Sequence, residues 1–228
     1  MSKVFFMVNK IKDFCFADLI EKYLSNCSVT VGETLPVHTE EYNLIVLWSY
    51  RKILANVAEK KNIILFHSSD LPEGKGWAPI YHSIRSGKDD YVISGIFADK
   101  EVDSGDIIVK AKFKIKDNYT ADIIRRWDAE ISIMLVREIL DRFRNKIIKG
   151  IKQSGAETYY RRRKPEDNEV SLNSTIEDVL NHLRACENDH PAFVMYRDIK
   201  YKIFLEPLNS PTHFPEDLKI TFFDDQQK

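Results

Sequence analysis

The sequence predicts an α/β protein, with a doubly wound sheet over residues 1–150 and a small C-terminal α+β extension over residues 151–228. Three observations carry that expectation. Short apolar runs recur at Val4–Val8, Leu44–Trp48, Ile63–Phe66 and Tyr91–Phe97, the pattern of strands buried on both faces. Segments of helical spacing lie among them, and strands alternating with helices build wound sheets. Around Gly150 the chain turns polar and basic, and one helix is then followed by two short strands.

Each helix has its own signal. Phe16–Leu24 places Leu19, Ile20, Tyr23 and Leu24 on one face. Pro79–Ser86 reads as a short helix with proline in its first turn and Gly87 at its end. Residues 120–144 form the clearest helix, with Ile124, Trp127, Ile131, Met134, Leu135 and Ile139 as its apolar face. Ser174 and Glu177 have capping-box spacing ahead of Val179, Leu180 and Leu183. Ala192–Tyr196 and Tyr201–Leu205 read as strands around a turn at Asp198. The tail from Asn209 onward is rich in proline and acidic residues and is expected to pack loosely.

Composition excludes several classes. Of 228 residues, 43% are hydrophobic and 30% charged, as in ordinary globular chains that need no metal or disulfide staples. A net charge of −1 supplies no field for nucleic acid, so no nucleic-acid partner is expected. No run approaches the roughly 18 apolar residues of a membrane span, and the N-terminal run is too short for a signal peptide. Cys15, Cys27 and Cys186 match no zinc or redox spacing and suggest reduced thiols in a cytoplasmic setting. His38, His182, His190 and His213 lack metal-ligand spacing, and no metal is expected. The first strand is not followed by Gly-x-Gly-x-x-Gly, so no dinucleotide site is indicated.

The most distinctive stretch is His67-Ser68-Ser69-Asp70-Leu71-Pro72-Glu73-Gly74-Lys75-Gly76-Trp77-Ala78-Pro79, followed by Asp103-Ser104-Gly105. A histidine leaves a strand at its carboxyl end, where wound sheets bind ligands. The order and spacing resemble the folate-dependent formyltransferases, most closely the nucleotide-sugar N-formyltransferases, with their Asn-x-His…Leu-Pro loop and Asp-Thr-Gly turn. The resemblance covers about residues 40–205 and implies a Rossmann-like formyltransferase sheet. It departs at Leu65, which stands where the family has a catalytic asparagine.

By that resemblance, His67 and Asp103 are the catalytic residues and 10-formyltetrahydrofolate is the formyl donor. Acyl transfer to an amine needs donors aimed at a developing oxyanion and a group to take the ammonium proton, which suits a histidine and a carboxylate. Leucine cannot donate. Three readings stand open: a Ser68 or Ser69 hydroxyl or a loop N–H takes over, the site is a working variant, or the chain is a non-catalytic binding relic. Ile64 and Phe66 suggest an apolar surround for Leu65.

The resemblance also implies that Trp48, Tyr50, Ser68, Ser69, Asp70 and Leu71 hold the folate, within a pterin-binding segment running from Trp48 to Leu54. Trp48 has an equal reading as core. Lys75 and Gly76 form a loop whose lysine meets either a ligand anion or solvent. Tyr160, Arg161 and Arg162 suit a base and a pyrophosphate, or form an exposed basic loop. His82 is read as packing. The expected acceptor is a small amine, a nucleotide-linked amino sugar for a surface glycan, with a hydroxyornithine-type amine as an alternative. A methionyl-tRNA enzyme is expected to carry a larger C-terminal domain and a basic surface. A homodimer through the C-terminal extension is the expected assembly.

Overall fold

The structure, a computed structural model, describes residues 1–52, 54, 57, 62–144 and 146–223. In chain order its main elements are β1 (Ser2–Met7), α1 (Ala17–Leu24), β2 (Cys27–Gly32), β3 (Leu44–Leu47), β4 (Ile63–His67), β5 (Lys75–Gly76), α2 (Pro79–Arg85) and β6 (Asp90–Phe97). They continue with β7 (Ile107–Lys114), α3 (Ala121–Arg142), β8 (Tyr159–Tyr160), α4 (Ile176–Ala185), β9 (Ala192–Tyr196), β10 (Ile199–Ile203) and β11 (Lys219–Phe222). Seven strands form one mixed sheet, in the order β11-β7-β6-β4-β3-β1-β2. The four strands from β2 to β4 are parallel, and β6, β7 and β11 each run antiparallel to their neighbour.

The expected apolar runs all become strands of this sheet. β2 is an addition to them. Its half-buried and exposed residues alternate at the sheet edge, a weaker signal than a continuous run. Successive side chains take opposite faces. Val4, Phe6, Leu44, Val46 and Ile64 enter the larger core, which α1, α2, α3 and α4 all feed. Phe5, Met7, Ile45, Leu47 and Ile63 form a second cluster on the other face. Burial on α3 extends beyond the expected stripe to Ile123, Ile133 and Val136, because α1 and α2 pack along its sides.

Two expectations need correction. The cap of α4 is Thr175 with Asp178, not Ser174 with Glu177. Thr175 Oγ1 accepts from Asp178 N at 3.2 Å, and Asp178 Oδ2 accepts from Thr175 N at 3.3 Å. Both pairs fit the spacing; the later start turns His182, Arg184 and Ala185 inward. The tail does not pack loosely over its described length, because β11 pairs with β7 and covers an otherwise open edge. The β9–β10 hairpin forms, with its second strand two residues earlier than the expected Tyr201–Leu205 because Arg197 and Asp198, both at positive φ, make a two-residue turn.

The winding direction changes at β1, which sits between β2 and β3. Wound sheets bind ligands at the strand ends beside such a switch. There Asn9, just past β1, donates through Nδ2 to Ser49 O at 2.7 Å and accepts from Arg51 N at 3.2 Å. It ties the turn after β3 to the end of β1.

Candidate active site

His67 is the last residue of β4 and shares its face with Leu65. Its side chain is 8% exposed. Nε2 lies 2.8 Å from Gly74 O, an acceptor only, so Nε2 carries the hydrogen and Nδ1 is the nitrogen that faces Asp103. The Nδ1–Oδ2 distance is 3.4 Å.

Asp103 reaches His67 by a route that strand order alone does not give. β6 runs antiparallel to β4 and ends at Phe97, which lies beside Ile64, far from His67. The following loop folds back. Gly105 passes so close to Phe97 that an added Cβ would stand 1.8 Å from its carbonyl oxygen. Gln153 Nε2 donates to Asp103 O at 2.7 Å and to Gly105 O at 2.9 Å, pinning the turn. Asp103 Oδ2 in turn accepts from Gly76 N at 2.9 Å and so ties this loop to the one after β4.

A cavity of about 460 Å³ opens at this junction. Leu47, Leu54, Val57, Leu65 and Ile96 give it an apolar wall, beside Tyr50, Arg51 and Lys52. His67, Ser68, Asp103, Gly76, Trp77 and Ala78 line it as well. Ser49, Ala78 and Asp103 all have positive φ and all line this cavity. Such backbone strain in residues other than glycine gathers where the surroundings hold a functional geometry.

The other residues expected at the site divide. Tyr50, Ser68 and Gly76 line the cavity. Trp48 instead packs edge-on against Phe6 and Phe14, with centroids at 5.9 and 5.8 Å, so the core reading describes its side chain. Ile53 of the same segment lies outside the described residues. Ser69 and Leu71 are buried behind the loop, where Ser69 O accepts from Ser94 Oγ at 2.7 Å. Asp70 faces outward to Lys110. The Lys75 side chain is only 2% exposed and its Nζ bonds Glu157 Oε1 at 2.7 Å, so it meets neither ligand anion nor solvent. It braces the β5–β8 pair instead.

The basic segment is mostly held by its own chain. Tyr160 stacks on His82 with centroids 4.2 Å apart, which accounts for His82 as a packing residue. Arg161 forms a two-pronged pair with Asp167, at 2.7 and 2.5 Å. Arg162 lies over the Trp77 ring, 5.0 Å from its centroid, at the cavity wall. The apolar surround of Leu65 is real, but its source differs from the expectation. Ile64 and Phe66 point to the opposite face, and Leu65 packs between the clusters of Leu47 and Ile63 and of Leu71, Ile96 and Ile107. Of the surrogate hydroxyls, Ser68 Oγ donates to Asp128 Oδ1 at 2.9 Å, and Ser69 Oγ is sealed from solvent with no hydrogen-bond partner among the described residues.

Asp128 is a cavity residue that the sequence reading passed over. It sits on α3 among the apolar positions Ile124, Ile131 and Leu135, where a carboxylate is itself a signal. Burial pushes its pKa up, while hydrogen bonds from Tyr91 and Ser68 pull it down. Asn9 and Gln153 were likewise missed. Asn9 follows a strand end and was open to that reading; Gln153 carries no sequence signal.

Comparison with known proteins places the chain by its sequence and its fold. A curated methionyl-tRNA formyltransferase of Pelagibacter ubique is 26% identical over 201 residues, covering 81% of this chain and 64% of that protein. The chain spans 47–64% of the length of such relatives. Among solved structures, the methionyl-tRNA formyltransferase of Clostridium thermocellum superposes with a TM-score of 0.71 at 22% identity, covering 97% of this chain and all of that one. PseJ of Anoxybacillus kamchatkensis, solved with UDP-4,6-dideoxy-4-formamido-L-AltNAc and tetrahydrofolate, gives 0.56 at 22% identity, covering 73% of this chain and 88% of its own. The model of the formyl transferase family matches residues 32–148, the segment that contains β3, the His67 loop, the Asp103 turn and α3, and the chain belongs to that family.

Proposed function

We propose that the protein transfers a formyl group from 10-formyltetrahydrofolate to the amine of a small molecule, a nucleotide-linked amino sugar. The observation that carries this reading is the His67–Asp103 pair, 3.4 Å apart at the rim of a cavity of about 460 Å³. The cavity suits a folate. Leu47, Leu54, Val57 and Leu65 offer an apolar wall and Tyr50 an aromatic one, and Arg51 and Lys52 bring cations toward which carboxylates would turn. When bound, the formyl donor supplies the carbonyl carbon: its bond to nitrogen is exchanged for a bond to the acceptor amine, and the ammonium loses the protons that the products do not keep.

The residues of this chain do the rest. His67 commits its Nε2–H to Gly74 O and turns Nδ1 toward Asp103 in a site largely closed to water, so a proton on Nδ1 is the one it can offer to a developing oxyanion. Asp103 holds the imidazole and is the nearby carboxylate able to take the ammonium proton. Leu65 adds no donor, the Ser68 hydroxyl is engaged and the Ser69 hydroxyl is sealed from solvent, which leaves the oxyanion to a proton on His67 Nδ1 or to a loop N–H. Trp77 at the cavity wall, with Arg162 stacked over its ring, suits a base and a phosphate. Exposed Tyr196, Ile199 and Tyr201, on one face of the β9–β10 hairpin, give the extension an apolar surface suited to a second copy of the chain.

PseJ, solved with a formamido sugar nucleotide and tetrahydrofolate, favours the amino-sugar acceptor. The methionyl-tRNA formyltransferases favour a second reading, an aminoacyl-tRNA. Incubation with 10-formyltetrahydrofolate and a panel of amino-sugar nucleotides, a hydroxyornithine and methionyl-tRNA separates them. Release of tetrahydrofolate with a formylated amino sugar is expected. Folate binding without transfer to any acceptor would leave the binding-relic reading standing, and transfer to methionyl-tRNA alone would replace the substrate class.

A further inference from the structure

Asp128 is a carboxylate in an unusual setting. It projects from α3 into the cavity that also contains His67. Oδ1 accepts two hydroxyl hydrogen bonds, from Tyr91 at 2.7 Å and from Ser68 at 2.9 Å. Both donors are neutral. Oδ2 takes no hydrogen bond from the described residues, and Asp128 forms no ion pair among them. The cation one helical turn away, Arg125, is bonded to Glu187 through Nε at 2.6 Å and again through Nη2. A half-buried charge with no cation in contact is costly in a folded protein, where buried charges are as a rule paired; Arg125 acts on Asp128 only at longer range, and its own hydrogen bonds go to Glu187. Tyr91 is fully buried and Ser68 sits directly after His67, so the carboxylate is aimed and not free to swing away.

We infer that Asp128 docks the ammonium form of the acceptor amine, supplying the charge by which this cavity selects an amine over a hydroxyl at the same position. The inference rests on the proposed amine acceptor. It is separate from proton removal, which belongs to Asp103: Asp128 binds the cation and so bears on affinity for the acceptor. The upward pull of burial on its carboxyl agrees with a group that gains from a cation.

The test compares a uridine-diphosphate-linked amino sugar with the same sugar nucleotide bearing a hydroxyl in place of the amine. Binding of each to the full chain with tetrahydrofolate is measured by calorimetry, beside formyl transfer to the amine. The unmodified protein should bind the amine about 10- to 100-fold more tightly, the range of one charge-assisted hydrogen bond. Asp128→Asn keeps an acceptor for both hydroxyls and should erase that preference, leaving the affinity for the hydroxyl analogue and for tetrahydrofolate unchanged. An equal loss for amine and hydroxyl analogue would show a merely structural residue and overturn the inference. So would an unmodified protein without preference, a measurement that does not depend on the variant folding. Transfer that proceeds with an intact preference in Asp128→Asn refutes the docking role and leaves the formyltransferase reading in place. A preference lost in the variant but no transfer by either protein upholds docking and removes that reading. Absence of binding by both sugar nucleotides overturns docking as well.

Discussion

Asp103 Oδ2 lies 3.4 Å from His67 Nδ1 and 2.9 Å from Gly76 N, so one carboxylate oxygen joins the strand-end histidine to the loop that follows it. The two residues are brought together by a folded-back loop whose closure depends on Gly105 and Gln153. The proposed chemistry therefore depends on the geometry of three loops as well as on two side chains.

Replacing either member of the pair should reduce turnover by at least ~10²-fold. His67→Ala removes the imidazole that faces Asp103, and Asp103→Asn keeps the shape while removing the base. Steady-state assays with whichever acceptor the substrate panel yields, alongside thermal melts, separate chemistry from folding. Near-normal turnover in either variant removes that residue from the mechanism.

Gly105→Ala tests the loop. A Cβ there would stand 1.8 Å from Phe97 O, a contact that the backbone must move to relieve. The expected outcome is a loss of turnover comparable to that of Asp103→Asn, because the displaced turn carries Asp103 with it. A crystal structure or a kinetic assay showing an undisturbed pair would mean that the loop tolerates the shift.

Arg161 and Arg162, adjacent in sequence, should behave differently. Arg161 is held by Asp167, whose carboxyl it keeps well below the usual range, whereas Arg162 lies over Trp77 at the cavity wall. Arg162→Ala should raise the sugar-nucleotide KM severalfold with little change in kcat, the mark of lost uniform binding. Arg161→Ala should leave KM unchanged. Equal effects would assign nucleotide binding to the whole segment.

Much of this was legible because it is local. Buried strands show as apolar runs, and the loop after His67 carries its spacing in consecutive residues. What escaped is long-range. Asp128 meets Ser68 and Tyr91 across 60 and 37 positions, and its meaning comes from those contacts. Lys75 resembled a loop cation until Glu157, 82 positions on, closed over it. The edge strand β11 depends on the open side of β7, and nothing within Lys219–Phe222 announces that partner. The α4 cap failed differently, since two overlapping boxes fit the same rule and burial chose between them.

Asp128→Asn should stabilise the fold near neutral pH. Burial raises the carboxyl's pKa in the folded state above 3.8, so the folded chain holds this proton more tightly than the unfolded chain does. The contribution of Asp128 to stability is greatest below its unfolded pKa and falls as pH rises toward the folded one. At neutral pH the ionised group is thus a liability that the amide avoids, worth on the order of 1 kcal/mol or about 2–4 °C in Tm. Melts of both proteins from pH 3 to pH 8 check this, and the gain should vanish at the acid end. A variant less stable than the parent at pH 7 would mean that the hydroxyl contacts need the charge.

Leu65→Asn puts the family's amide back where leucine stands. The side chain would enter a wall formed by Leu47, Ile63, Leu71, Ile96 and Ile107, beside His67 but packed between two apolar clusters. An amide left unpaired there costs ~1–3 kcal/mol. One edge of Leu65 does line the cavity, so the amide has a single outlet toward the formyl oxygen. Two outcomes are therefore distinct. If His67 already serves as the donor, the substitution lowers Tm and adds no rate. If the chain has only lost a donor and kept all else, transfer rises while Tm still falls. The first is expected, because the surrounding side chains are all apolar and have closed around leucine. A clear gain in formyl transfer over the unmodified protein would show that the neighbours accommodate an amide and that leucine is the one defect in the site.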